Sequence, residues 1–555
     1  MGSFSTVRMV LDRDDPNSNR WEGLTPLSWA AKGGHEAVVE LLLARDDVDT
    51  RAPDELGQTP LFMAARAGHE GVVKMMLGRG DVDPNTATWF RQTPLWGAAE
   101  EGHEGVVKVL LERNDIDPNA ATYRGQTPLH IAAYKGHEGV VKVLLERNDT
   151  NPNSSTYYGK TPLLVAAEKG HEGVVKVILG RADANPNTAN EYGQTPLYRA
   201  VMKGHEGVLK ALLERADVNP NTADLDGRTP LFEAACDGSE GAVKMLLGRA
   251  EVNPNTTNRY NETPLFIAAK KGHRAAVQRL LERADVNPNT ANRFNETPLF
   301  IAAHQGRGGA VKMLLRRSDV NPNTADDNGR TPLSVAAYYG AGGVVQMLLG
   351  RKDVNPNPAD KNGLTPLLGA SFSGHEGVVE RLLAREDMGP NATYYGGVTP
   401  LSEAAMFGER GVVKILLEQE GVNPNTADDK GRTPLFKAAR EGHVEIVKIL
   451  LEQSGVDPNI ADKCGKTPLS EAACRGHEGV VKMMLERVDV NSDMADLAGE
   501  TALSRAQKNG CRAIVELLAE RKNPIPQSAG GKSTAHLSPG SSDPDQRPSK
   551  RIRGF

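Results

Sequence analysis

The chain has 555 residues, 39% of them hydrophobic, and sets 66 lysines and arginines against 71 aspartates and glutamates, a net charge of −5. That near balance supplies no overall attraction for nucleic acid or an anionic membrane surface. No apolar run is long enough to cross a bilayer, and no charged n-region precedes an apolar h-region, so neither a membrane span nor secretion is expected.

The opening MGSFST fits an N-myristoylation pattern, but one acyl chain anchors only marginally and no basic cluster supports it, so the match is read as chance. Val7, Met9, Val10 and Leu11, followed by Asp15, Pro16 and Asn17, match the second half of the unit that fills the rest of the chain. Residues 1–18 are therefore expected to form an N-terminal half repeat, with truncation from a larger sensor protein as the competing reading.

From Thr25 the triplet TPL recurs every 34 residues, at Thr59, Thr93, Thr127 and onward through Thr467, and a fifteenth copy at Thr501 reads TAL. A fixed period of this length marks a stacked array in which each unit covers the apolar face of its neighbour. Threonine is a good N-cap, and proline after it suits the first helical position, so a helix is predicted to start at Pro26, Pro60, Pro94 and their equivalents. Alanine at the sixth position (Ala30, Ala64, Ala98) lets helices approach closely, and glycine at the tenth in every copy, Gly34 to Gly510, ends the helix after about two turns. A second helix is predicted over EGVVKVLLER, with Val106, Val107, Leu110 and Leu111 at helical spacing for burial. The following DVNPNTADLDG is turn chemistry.

Written from Thr127, the unit TPLHIAAYKGHEGVVKVLLERNDTNPNSSTYYGK resembles the ankyrin repeat in its TPLHxA opening and its GHxxVVxxLL second half, and the resemblance covers about Trp21 to Arg521. It is closest to the long arrays with DVNPN loops found in fungal proteins. The family usually has one residue fewer; the extra one is placed near Asn219, Pro220 and Asn221. The resemblance implies an all-α repeat solenoid of helix-turn-helix units with short β-hairpin loops, fifteen ankyrin repeats over residues 19–521, and protein binding. The fifteenth unit loses its proline at Ala502 and turns polar at Arg505, Gln507, Lys508, Asn509 and Arg512, as a cap facing water should.

Residues 522–555 change character, with Pro524, Pro526, Pro539, Pro544 and Pro548 among glycine, serine and charge, and are expected to be a disordered tail. Its GGKST, Gly530 to Thr534, lacks the leading glycine and the strand and helix of a phosphate-binding loop. Lys550, Arg551 and Arg553 form a weak nuclear address. With four cysteines, Cys236, Cys464, Cys474 and Cys511, expected to be reduced, the reading is a cytoplasmic or nuclear protein.

Ten histidines share one register, from His35 and His69 to His477. A metal needs ligands converging at about 2.0–2.1 Å, whereas this ladder spaces its rings by a whole repeat, so these histidines are structural and no metal is expected. Glu70 and Lys74, four apart, are a favourable helical pair. The aromatic residues divide. Phe62, Trp96, Tyr198, Phe232, Phe266, Phe300 and Phe436 follow TPL and should be buried between short helices. Trp21, Trp89, Phe90, Tyr123, Tyr157, Tyr158, Tyr192, Tyr260, Phe294, Tyr394 and Tyr395 fall at the expected loop tips, replaced in later repeats by Asp326, Asp327, Asp360, Asp428, Asp429 and Asp462. A turn tip offers little core, so these eleven are the candidate partner-binding residues, against the alternative that each packs on the neighbouring loop.

The expected function is a non-catalytic scaffold or adaptor, a monomeric array without cofactor that binds a protein partner along the tips and inner helices. The alternatives are a regulatory or ligand-sensing array derived from a nucleotide-binding sensor and, with less support, a single-stranded nucleic-acid binder stacking bases on the tip rings. An enzyme would need a pocket of convergent polar groups that the repeats do not supply.

Overall fold

The computed structural model describes residues 15–18, 24–393 and 395–522. Trp21, Tyr394, most of the N-terminal half repeat, and the tail with GGKST, Lys550, Arg551 and Arg553 lie outside these residues. Thirty helices in fifteen pairs are present among the described residues, without a strand, and the fold is an all-α repeat solenoid. The array expected over 19–521 divides into two compact units, residues 1–423 and 424–555. The first holds twelve helix pairs, from Pro26–Lys32 and Glu36–Leu43 to Pro400–Phe407 and Arg410–Leu417; the second holds three, from Pro434–Glu441 to Arg512–Lys522.

Each first helix begins as its sequence predicts. Thr59 Oγ accepts from the Phe62 amide at 3.2 Å, and Thr161 does the same for Leu164 at 3.2 Å, so the cap satisfies a donor the helix cannot. The helix Pro60–Ala67 has 8 residues and stops at Gly68, whose φ of 83° is left-handed. That glycine is required twice over, because a Cβ there would also stand 2.7 Å from the His103 ring of the next repeat. First helices pack on the first helices of neighbouring repeats and on their own second helix, making two layers. The rings that follow TPL fill the space between them: Phe300 is 0% exposed, and Phe62, Trp96, Tyr198, Phe232, Phe266 and Phe436 are buried.

The second helix corrects one detail. In Glu104–Leu111, Val106, Val107 and Leu110 are buried as expected, but Leu111 is only half-buried and Val109 takes the fourth core place. The buried stripe runs at three- and four-residue steps from Val106, and Leu111 falls beside it.

Three polar ladders join successive repeats. The His103, His171 and His273 rings each bond a carbonyl in the last turn of the preceding first helix, at 3.0 Å from Arg66, Tyr134 and Cys236, so the histidine register is a structural staple. Arg181 bonds Asp183 at 2.8 Å and reaches back to the Leu145 carbonyl at 2.8 Å. The last asparagine of each NPN reaches forward: Asn187 donates to the Asp217 carbonyl at 2.7 Å and accepts the Asn219 amide at 2.7 Å. Asn17 bonds the Asp47 carbonyl and the Asp49 amide in the same way, at 2.8 and 2.7 Å. These bonds hold the loop base that positions the tips.

In the second unit the polar face of the last repeat is tied down by ion pairs from Arg505 to Asp496 and from Lys508 to Glu500. All four cysteines are free.

Candidate functional site: the loop tips and the first-helix face

The expected β-hairpins are turns. In repeat after repeat one residue opens the turn with its side chain: Asn190 Oδ1 accepts the amides of Tyr192 at 2.9 Å and Gln194 at 3.0 Å, and Asp326 Oδ1 accepts those of Asn328 and Arg330 at 3.0 and 2.8 Å. The backbone closes behind it, with the Gly193 amide on the Asn190 carbonyl at 2.9 Å. Four residues complete the turn, and no strand is present on either side of it among the described residues. Many tips also bond their neighbour once, as Glu191 N to Tyr158 O at 3.2 Å and Leu225 N to Tyr192 O at 3.1 Å. That bond lines the tips up in one row.

The geometry sorts the acidic tip residues of the later repeats. Asp326 and Asp428 are buried turn-openers, held by Arg330 and Arg432 at 2.7 Å, and Asp360 and Asp462 open their turns likewise. Only Asp327 and Asp429 of the six are exposed. The expectation of an acidic tip edge is corrected on that ground: a carboxylate that folds the turn cannot also face a partner.

The two residues after the turn-opener have no such duty, and the aromatic side chains stand there. Trp89, Phe90, Tyr123, Tyr157, Tyr158, Tyr192, Tyr260, Phe294 and Tyr395 are all exposed, from 40% at Tyr260 to 81% at Tyr395. Some touch a neighbouring tip while staying open. Trp89 Nε1 donates to the Glu55 carbonyl at 3.1 Å, and the Arg293 guanidinium lies 4.7 Å from the ring centres of both Tyr260 and Phe294. Arg91 holds a left-handed φ of 60° where most other repeats have glycine, and its guanidinium sits over Tyr123 at 5.9 Å.

The tips and the first helices enclose shallow clefts. One, of about 340 Å³, is lined by Arg124, His130, Tyr134, Tyr158, Lys160 and Glu168 among others. Its floor is fixed by His130, which shares Nδ1 with the Thr127 hydroxyl at 2.8 Å and bonds the Lys160 carbonyl through Nε2 at 3.0 Å. Burial pulls the His130 pKa down to about 4, so the ring is neutral. Burial raises the Glu168 carboxyl, yet Lys160 at 2.9 Å and Arg199 at 2.6 Å outweigh it and hold the group below its ordinary value.

A second run of rings escaped the sequence reading. On the first helices Pro298–His304, Pro332–Tyr338, Pro366–Phe372 and Pro400–Phe407, His304 meets Tyr339 at 4.9 Å and Tyr338 stacks on Phe372 at 6.1 Å. Phe372 meets Phe407 edge-on at 4.3 Å. Beside them a cleft of about 260 Å³ is lined by Tyr338 and Tyr339 together with Asn328, Arg330, Asp360 and Asn362. The signal was available, since Tyr338, Tyr339, Phe372 and Phe407 fill the eighth and ninth positions of their units, the open end of the first helix.

Among the described residues no three histidines, cysteines or carboxylates converge as metal ligands, and no helix is long and apolar enough to cross a membrane. The family model described as ankyrin repeats, three copies, matches the chain in nine overlapping stretches from 1–88 to 454–528. The chain belongs to the ankyrin repeat family. Ankyrin repeats are in general protein–protein interaction modules, and their arrays are typically non-catalytic. No curated protein is significantly similar to this ankyrin chain.

Proposed function

We propose that the protein is a scaffold or adaptor that binds a protein partner along the loop tips and first helices of its ankyrin repeats. The reading rests chiefly on one observation: within the same 34-residue unit the aromatic residues after TPL are buried, while those at the tips are 40 to 81% exposed and recur in one row. Exposed tyrosine and tryptophan supply contact area at small entropic cost, and rings repeated from tip to tip give a partner a broad surface.

Replacing Tyr123, Tyr157, Tyr158 and Tyr192 together by serine should leave circular dichroism and melting nearly unchanged while weakening partner capture more than tenfold, about 1.4 kcal/mol. Asp327→Ser with Asp429→Ser, at exposed tip positions that open no turn, is the matched control and should spare capture. A tyrosine variant that melts far below the parent and binds normally would place the rings in inter-loop packing and move the functional face elsewhere.

A further inference from the structure

Charge on the first-helix face is distributed in blocks. The tips and first helices of repeats four to six, residues 122–136, 156–170 and 190–204, carry six cations (Arg124, Lys135, Lys160, Lys169, Arg199, Lys203) and two carboxylates (Glu168, Glu191), so 6 − 2 gives +4 in a chain of net charge −5. The flanking segments are acidic. Residues 88–102 hold Arg91 against Glu100 and Glu101, and residues 224–238 hold Arg228 against Asp224, Asp226, Glu233 and Asp237. The basic block therefore has two ends.

Three of its cations are free in a way that some second-helix lysines of the array are not. On the second helices Lys108 and Lys176 close on the glutamate four residues earlier at 2.6 and 2.5 Å. On the first helices Lys135, Lys169 and Lys203 are exposed, and none has a carboxylate within ion-pair distance among the described residues. Lys169 stands over the Tyr134 ring at 4.5 Å instead. Glu168 is already spent on Lys160 and Arg199 at 2.9 and 2.6 Å. Lys169 lines the cleft of which the exposed Tyr158 is another wall, and Tyr157 and Tyr192 stand beside it in the row of tips.

We propose that repeats four to six form a docking lane for an extended acidic segment of a partner protein, an inference that rests on the scaffold reading and specifies the partner's chemistry. Packed helices stand about 10 Å apart, and an extended chain rises about 3.3 Å per residue. Lys135, Lys169 and Lys203, one per repeat, thus meet a carboxylate at every third residue, and the tyrosines of the tip row contact the residues between. The acidic segments on either side repel such a peptide and set its register.

The test is a fluorescence-anisotropy titration of the full chain with a labelled peptide of three Glu-Leu-Ala repeats. The same peptide with glutamine for glutamate should bind at least about tenfold more weakly, and added salt should weaken the acidic one. Lys135→Glu, Lys169→Glu and Lys203→Glu combined should lower affinity for the acidic peptide at least about tenfold, and the triple glutamine variant should do so in part. The charge-matched triple Lys74→Glu, Lys108→Glu and Lys176→Glu on the second helices should leave it unchanged. Equal affinity for the two peptides, or equal loss in both glutamate triples, would overturn the lane. So would an oligothymidylate that binds through the same lysines more tightly than the peptide. If the tip-tyrosine variant loses its partner while neither peptide binds, the scaffold reading stands and the acidic lane alone falls; if partner capture is also indifferent to the tips, both fall.

Discussion

The base and the tip of a single loop lie within a few residues of each other and follow opposite rules. At the base, Asn187 and Asn221 make the same pair of bonds one repeat apart, to the Asp217 carbonyl and Asn219 amide and to the Glu251 carbonyl and Asn253 amide, all at 2.7 to 2.8 Å. At the tip, the equivalent places hold Tyr157, Glu191, Leu225 and Arg259, each joined to the neighbouring tip through its backbone, with Arg259 adding an ion pair to Asp226 at 2.7 Å. A position whose side chain bridges two repeats must look alike in every copy. One whose repeat-to-repeat bond is made by the backbone is free to differ, and there the chain can acquire a partner.

The comparison can be broken at several depths. Phe300→Ala opens a cavity in a site that is 0% exposed and should cost about 3–5 kcal/mol in denaturant unfolding. Tyr157→Ala, at a tip 78% exposed, should stay within about 0.5 kcal/mol; a loss approaching that of Phe300 would make tip and core equivalent. Asn187→Ala removes two inter-repeat bonds and should cost about 1–2 kcal/mol, and unaltered unfolding would mean that the backbone alone holds the loop base.

A smaller effect tests the floor of the tyrosine cleft. His130 is neutral in the fold because burial lowers its pKa from 6.5 to about 4, so the unfolded chain takes up its proton first as pH falls. Its contribution is complete above the unfolded value and is lost through the window from pH 6.5 toward about 4, close to 1 kcal/mol for the first pH unit. The melting of His130→Gln should therefore depend less on pH across that window; identical pH profiles would show that the ring is protonated in place.

Much of the fold was legible because its signals are local. Thr59 and Pro60 start a helix by capping and by a preset φ, and Gly68 ends it by accepting a left-handed φ, whatever surrounds them. Fifteen phased copies made the family resemblance specific, and they placed the exposed row of Tyr123, Tyr157 and Tyr192 without coordinates. Local signals failed where an aspartate has two possible uses. Asp326 and Asp327 are neighbours of the same type, and only the turn geometry distinguishes the one that accepts amides at 3.0 and 2.8 Å from the one left exposed.

The sequence by itself determined the repeat, the two helices of each unit and the loop positions, since period, capping and hydrophobic spacing act within a few residues. Tertiary structure alone decided which polar groups join the repeats: the His103, Arg181 and Asn187 bonds each reach 30 or more residues along the chain, a separation that stacking closes and no local pattern encodes. It also decided that Tyr338, Phe372 and Phe407 meet as one run of rings, and that Lys169 faces Tyr134 instead of a carboxylate. Those contacts depend on how one repeat is set against the next, which is a property of the packed array.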